Sequence, residues 1–403
     1  MGLDRVRLVR ARLSLDPDFP LITVGGTNGK GSTCAYLESI LISSGYKVGS
    51  YTSPHLLRYN ERVRIVGEEV ADMDLCTAFA AVEKAREDVP LTYFEQGTLA
   101  AMWLFRRSGV EVAVLEVGLG GRLDAVNAWD AACSVVTSVD LDHQHFLGDT
   151  REAIGFEKAG SFRGGRPAIC GDALPPTSVL ERARVIGADL LRLGEEIRVE
   201  IGESDWTCRV DGGVFPALPR LAMSGRHQYG NAACAVAALW SLRECLPVPM
   251  NAVRAGLGAA CQSGRFQIVA HQPLRILDVA HNPHAAQALA DNLADLPPTG
   301  RIIAVFAMLA DKDVEGVVAP LKSRIHHWHV AGLDLPRGLA GAALADRLEV
   351  MGCRVTWHER VVDAWCAACR EAVPADTILT FGSFHTVAGV MADMTGESRA
   401  THG

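Results

Sequence analysis

The sequence predicts an α/β chain of two domains. Residues 1–262 form a parallel-sheet domain around a glycine-rich loop, and 263–403 form a smaller, Rossmann-like α/β domain. Three observations lead there. A β-branched apolar run, Leu21–Val24, enters the turn Gly25-Gly26-Thr27-Asn28-Gly29-Lys30-Gly31-Ser32-Thr33 and leaves it into the helix-forming run Cys34–Leu41. Strand-like and helix-like stretches then alternate, as parallel sheets with helical crossovers require. The alternation restarts at about residue 263, after a long alanine-rich helix.

Composition narrows the class. A chain of 403 residues can bury two or three cores. With 49% apolar and 21% charged residues it reads as an ordinary soluble globular protein. A net charge of −8 and the lack of a basic cluster argue against nucleic acid as partner. No apolar run reaches the ~18 residues of a membrane span. The N-terminus lacks a signal-peptide core, so a cytoplasmic location is expected. The 11 cysteines are odd in number and scattered, which gives no disulfide framework. Cys366 and Cys369 form the only CxxC, on a helix-like stretch with no second pair to complete a zinc site.

Taken in order, residues 4–13 place Val6, Leu8, Val9 and Leu13 on one face of a short amphipathic helix. The loop that follows is a phosphate cradle. Its glycines let backbone N–H groups approach an anion, the helix N-terminus adds positive potential, and Lys30 supplies a point charge. The strict pattern G-x-x-x-x-G-K-[ST] is not met, because Val24 stands at its first glycine and Gly31 follows the lysine. The shorter G-T-N-G-K-G-S remains. Thr27, Asn28, Gly29, Lys30, Gly31 and Ser32 are therefore candidate contacts to a nucleoside triphosphate, and the first domain reads as a P-loop ATPase domain.

Tyr46–Thr52 is read as a second strand, ending at Ser53, which could reach a nucleotide-held metal or serve only as a turn residue. Val110–Leu115 is a third strand with Glu116 at its end, and Ser134–Val139 a fourth running into Asp140-Leu141-Asp142-His143. Hydroxyl, carboxylate and imidazole at neighbouring strand ends could share Mg²⁺ with phosphate oxygens. Spacing alone favours Asp142 over His143, since oxygen is the harder ligand. Lys158 lies among Ile154, Phe156 and Ala159 and is expected to be partly buried. Residues 190–220 alternate like an antiparallel hairpin. Asn231 stands at the expected start of the alanine-rich helix, where it could be a cap.

In the second domain, strands are read at 275–279, 301–307, 326–331, 354–357 and 377–381. No G-x-G-x-x-G follows the first, so dinucleotide binding is not expected. Arg265 falls at the join between domains, and Asp278 and His281 at the end of the first strand.

The succession of segments resembles the Mur ligase superfamily, and within it the bacterial folylpolyglutamate synthases, including the bifunctional dihydrofolate synthases. The carrying segments are Gly26–Ser32, Thr52–Leu56, Leu91–Glu95, Leu115–Ala125, Asp142–Gly148, Glu157–Gly160, Gly264–Gln267, Asp278–Ala285 and Gly382–Thr386. The resemblance implies an ATP-dependent ligase that adds L-glutamate to dihydropteroate or a folate through an acyl phosphate. It assigns metal binding to Ser53, Glu116 and His143, and a second Mg²⁺ to a carbamylated Lys158. Thr92, Tyr93, Phe94 and Glu95, with Leu123, Asp124 and Ala125, would hold the pterin; Val126 departs from the threonine common there. Asn231, Arg265 and Asp278 would contact ATP, with Arg265 closing over the triphosphate, and His281 and Ser383 would hold glutamate. Lys30, Lys158, His281 and Ser383 are thus the expected catalytic groups, in a chain expected to act as a monomer. Bifunctional members also carry a helix and loop before the segment matched by Gly2–Val6, so either the true start is expected upstream or dihydropteroate is expected to be used less efficiently by the sequence as given. Two alternatives stay open: a ligase for a peptidoglycan precursor, against which Gly31 and the chain length count, and a nucleotide-binding switch without ligation.

Overall fold

The computed structural model describes residues 2–297 and 300–396. The chain divides into two compact units, Met1–Ala222 with His227–Cys261, and Met223–Arg226 with Gln262–Gly403.

The first unit is built on eight strands: β1 (Leu21–Gly25), β2 (Val48–Tyr51), β3 (Val63–Ile65), β4 (Glu68–Glu69), β5 (Val112–Glu116), β6 (Cys133–Val136), β7 (Pro167–Cys170) and β8 (Asp189–Arg192). They lie in the order β4-β3-β2-β5-β1-β6-β7-β8. From β2 to β8 all neighbours are parallel, while β3 and β4 run antiparallel at one edge. Every residue of β1, β2, β5 and β6 is buried, which is why these strands read as continuous apolar runs rather than alternating ones. One apolar core gathers Val6 and Val9 of the first helix (Asp4–Arg12), Leu75 and Val82 of helix Asp72–Arg86, and Leu99 and Phe105 of helix Tyr93–Arg107. The helix after the loop, Lys30–Ser43, packs against helices His227–Ser241 and Met250–Ala259. Gly256 permits that approach: a Cβ there would stand 2.4 Å from the Ile40 Cα. A three-stranded antiparallel sheet, β9 (Ile197–Ile201), β10 (Asp205–Val210) and β11 (Gly213–Pro219), follows β8.

Several expectations are corrected. The hairpin expected over 190–220 is a three-stranded sheet that begins at Ile197, and residues 190–192 instead pair in parallel with β7. The fourth strand stops at Val136, and residues 137–139 lie outside it. Asn231 is the fifth residue of helix His227–Ser241 and not its cap.

The second unit has β12 (Gln267–His271), β13 (Leu274–Leu277), β14 (Ile302–Phe306), β15 (Ile325–Ala331), β16 (Val355–His358) and β17 (Thr377–Phe381), ordered β12-β13-β17-β14-β15-β16. All pairs are parallel except β12 with β13. Five of the six match strands read from the sequence within about two residues; β12, the antiparallel addition, was not read. Phe306, Trp328 and Phe381 interlock in its core, with ring centroids 4.8 to 5.8 Å apart. Cys366 and Cys369 lie on helix Val361–Glu371, as their pattern predicts. No described helix is long and apolar enough to cross a membrane.

Candidate functional site

The loop after β1 is held from the turn after β6. Thr137 Oγ1 donates to the Gly25 and Asn28 carbonyls at 3.2 and 2.6 Å, and Ser138 Oγ to the Asn28 carbonyl at 3.1 Å. The Thr27 and Asn28 N–H groups donate back to the Ser138 carbonyl and hydroxyl, at 2.7 and 3.0 Å. Lys30 Nζ donates to the Gly26 and Thr27 carbonyls at 3.0 and 3.1 Å. Gly29 caps the helix at φ +85°, a conformation that disfavours any side chain, and a Cβ there would also meet Asn231 Oδ1 at 2.4 Å. Asn231 therefore reaches the loop from the middle of its own helix. It donates to Gln228 Oε1 at 3.0 Å, while Gln228 Nε2 donates to Ser32 Oγ at 3.3 Å. Gln228 was not singled out by the sequence, since a glutamine in a helix gives no signal of its partner.

Glu116 ends β5 beside β1, 3% exposed, and its Oε2 accepts the Ser53 N–H at 2.9 Å. Two metal candidates from distant segments are thus adjacent. His143 has a left-handed backbone, φ +53°, before the short helix Gln144–Leu147, and its N–H donates to Asp142 Oδ1 at 2.8 Å. Lys158, 5% exposed in helix Arg151–Ala159, is more buried than expected. Burial first, then the positive charge of Lys30, bring its pKa down to about 7, while Asp142 opposes the fall. Lys30, Asp142 and Lys158 therefore lie within electrostatic reach of one another.

The pterin candidates divide. Thr92 and Glu95 form a capping box for helix Tyr93–Arg107: Thr92 N–H donates to Glu95 Oε2 at 2.7 Å and Glu95 N–H to Thr92 Oγ1 at 3.3 Å. Glu95 also accepts from Arg5 Nη2 at 2.9 Å, a pairing with no trace in the sequence. Tyr93 is exposed and stands edge-on to Tyr59, with the Arg62 guanidinium over both rings. Phe94 lies against Tyr51 at 5.7 Å. Asp124 is buried and accepts from the Leu119 and Val126 N–H groups at 2.9 and 3.1 Å; desolvation raises its pKa to about 6 in spite of them. Leu123 is half-buried, Ala125 and Val126 buried.

In the second unit, Asp278 follows β13 and accepts from the Phe266 and Ala280 N–H groups, both at 2.8 Å. Burial raises its pKa, against the opposing charges of Arg265 and His281. His281 Nδ1 pairs with the Val279 carbonyl at 2.8 Å. Ser383 caps helix Phe384–Thr395 by accepting the His385 N–H at 3.1 Å. Arg265 and His281 both lie against Phe384, at 5.5 and 5.9 Å from its ring. The four residues predicted for this unit thus meet at the carboxyl ends of β13 and β17.

A phosphate loop at the carboxyl end of one parallel sheet, with a second α/β unit carrying polar groups at its own carboxyl edge, defines a chain of the Mur ligase type. The family described as "Mur ligase, glutamate ligase domain" matches residues 264–384. The dihydrofolate synthase/folylpolyglutamate synthase of Escherichia coli K12 is 48% identical over 392 residues, covering 97% of this chain and 90% of the relative. A structure of E. coli FolC in complex with DHPP and ADP superposes with a TM-score of 0.94 at 47% identity, over 99% of this chain and 94% of that one. A structure of a bifunctional folylpolyglutamate synthase/dihydrofolate synthase with Mn, AMPPNP and L-glutamate bound gives 0.91 at 44% identity, over 98% and 94%. The chain belongs to the dihydrofolate synthase/folylpolyglutamate synthase family.

Proposed function

We propose that the chain joins L-glutamate to dihydropteroate and to reduced folates, using ATP, in the cytoplasm and as a monomer. The observation that carries this reading is the braced loop Gly25–Thr33, with Lys30 on its carbonyls and Asn231 against Gly29, in a chain that matches synthases holding ADP, AMPPNP and L-glutamate over nearly its whole length. A carboxylate is a poor electrophile because oxide cannot leave. Its oxygen therefore attacks the γ-phosphorus of ATP and ADP departs. The glutamate nitrogen then attacks the acyl carbon, loses a proton, and inorganic phosphate leaves.

In this reading residues 1–262 carry the phosphate loop, the metal groups and the pterin site, and 263–403 the glutamate site together with two of the nucleotide contacts. Thr27, Asn28, Gly29, Gly31 and Ser32 present the loop and first helical turn to the phosphates, and Lys30 turns from the loop carbonyls to the charge that develops on transfer. Asn231, Arg265 and Asp278 contact the nucleotide. His281 and Ser383 hold the glutamate, and Thr92, Tyr93, Phe94, Glu95, Leu123, Asp124 and Ala125 the pterin.

The donor set fits a hard divalent ion. Glu116 offers a buried carboxylate beside Ser53, which with His143 would hold Mg²⁺. Lys158, buried with its pKa near 7, is populated as the neutral amine that carbamylation requires, and would then hold a second ion. Such ions neutralise phosphate charge. The test is product analysis by mass spectrometry with ATP, glutamate and either dihydropteroate or a reduced folate. ATP-dependent addition of one glutamate residue is expected; nucleotide binding without a glutamylated product overturns the reading.

A further inference from the structure

We propose that His327, His329 and Glu371 form a binding site for a zinc-type divalent transition-metal ion, separate from the ligase residues. His327 and His329 are alternate residues of β15, so both project from one face of the sheet, while Trp328 between them enters the aromatic core on the other. Both imidazoles are buried, 6% and 4% exposed. Glu371, the last residue of helix Val361–Glu371, meets them there, held by Arg301: Nη1 donates to its Oε1 at 3.1 Å and Nη2 to its backbone carbonyl at 3.2 Å.

Three ligand atoms converge. Glu371 Oε2 is 2.7 Å from His327 Nδ1 and 3.0 Å from His329 Nε2, and all three lie within 4.8 Å of one another. The far nitrogen of each ring is also engaged, His327 Nε2 with Thr356 Oγ1 and His329 Nδ1 with His358 Nε2, both at 3.0 Å. That outer shell is what metal-bound histidines need, since it fixes the tautomer and aims the free lone pair at the ion. Two imidazoles and one carboxylate suit zinc better than magnesium. Bonds of ~2.0–2.1 Å at tetrahedral angles put ligand atoms roughly 3.3 Å apart. The cluster must therefore open by a few tenths of an ångström, which Glu371, 23% exposed at its side chain, can supply by rotating. On binding, each neutral ring takes the tautomer that leaves its ligand nitrogen bare: His327 keeps its one proton on Nε2, donating to Thr356 Oγ1, and His329 keeps its one on Nδ1, donating to His358 Nε2. Arg301 and Asp376, which anchor the cluster, precede β14 and β17, whereas Asp278, His281 and Ser383 follow the strands of the same sheet.

The test is retention of zinc by the full chain, measured with a chromophoric chelator in excess Mg²⁺, together with the visible spectrum of the Co²⁺ form. One equivalent of zinc and a tetrahedral Co²⁺ spectrum are expected. His329→Gln and Glu371→Gln should lose both, with Mg²⁺-supported ligation unchanged. Thr356→Val, at an exposed position of β16, should keep the site but bind roughly 10–100-fold more weakly. It decides the matter if either core variant fails to fold. A wild-type chain that retains no zinc, or a Thr356→Val chain that binds it as tightly as wild type, overturns the proposal.

Discussion

The carboxyl edges of the two sheets hold their polar residues in opposite ways. In the first unit the loop is braced from behind: Thr137 and Ser138 take its carbonyls, and the groups proposed to meet phosphate are backbone and Lys30. In the second unit the proposed ligand groups are themselves the braces, because Asp278 accepts two backbone N–H groups and Ser383 caps a helix. Binding and stability are therefore separable at the phosphate loop and entangled in the second unit. Mutations should report that difference.

The largest effect is expected from Lys30→Ala. Loss of a charged contact to a transferring phosphoryl group costs ~3–4 kcal/mol, or 10²–10³ in kcat, and the melting temperature should hardly move. Steady-state ADP release and thermal unfolding of one preparation check both halves; near-normal turnover would remove Lys30 from the machinery.

Lys158→Ala should also be inactive, and small carboxylic acids should restore part of the rate if a carbamate is what is missing. The same lysine makes a stability prediction. Its pKa is about 7 in the folded chain against an ordinary 10.5, so between those values the unfolded chain binds more protons and stability rises with pH. In bicarbonate-free buffer, Lys158→Met should be more stable than wild type near pH 7, with the gap closing as pH approaches 10. A gap that does not change with pH would mean that the amine is solvated.

For Ser383 the two roles can be split. Ser383→Ala should cost about 1 kcal/mol as a lost cap and raise the KM for glutamate. Ser383→Asn keeps a capping oxygen and should recover stability without recovering KM. If both properties return together, Ser383 is a cap alone. The smallest change is expected from Thr92→Ala: about 1 kcal/mol in chemical denaturation from the broken capping box, with kcat for the pterin substrate little altered.

The same contrast explains what the sequence disclosed. The phosphate loop was legible because its function sits in one contiguous run of glycines and a lysine. Most of the parallel strands were legible because burial on both faces makes them apolar throughout; β7, equally parallel, was not read. Short strands were not: β4 is two glutamates, and β8 looked like part of the neighbouring hairpin. The pairing of Arg5 with Glu95 spans 90 residues, and the reach of Asn231 to Gly29 some two hundred, so only folding reveals them. His327 and His329 lay in a strand that was read correctly, but no pattern announced that Glu371 would face them.

The edge strands carry one more consequence. The two larger sheets end in strands whose outer backbone groups are unpaired within the sheet, each a template on which another copy could zip. At one end of the first sheet the chain narrows to Glu68–Glu69, too short and too negative to accept a neighbour; at the other, Arg192 pairs with Glu196 immediately beyond β8. In the second sheet β12 carries a register shift between Ile268 and Ala270, which twists that border out of line. At these three borders the fold thereby denies incoming chains a flat row of backbone groups.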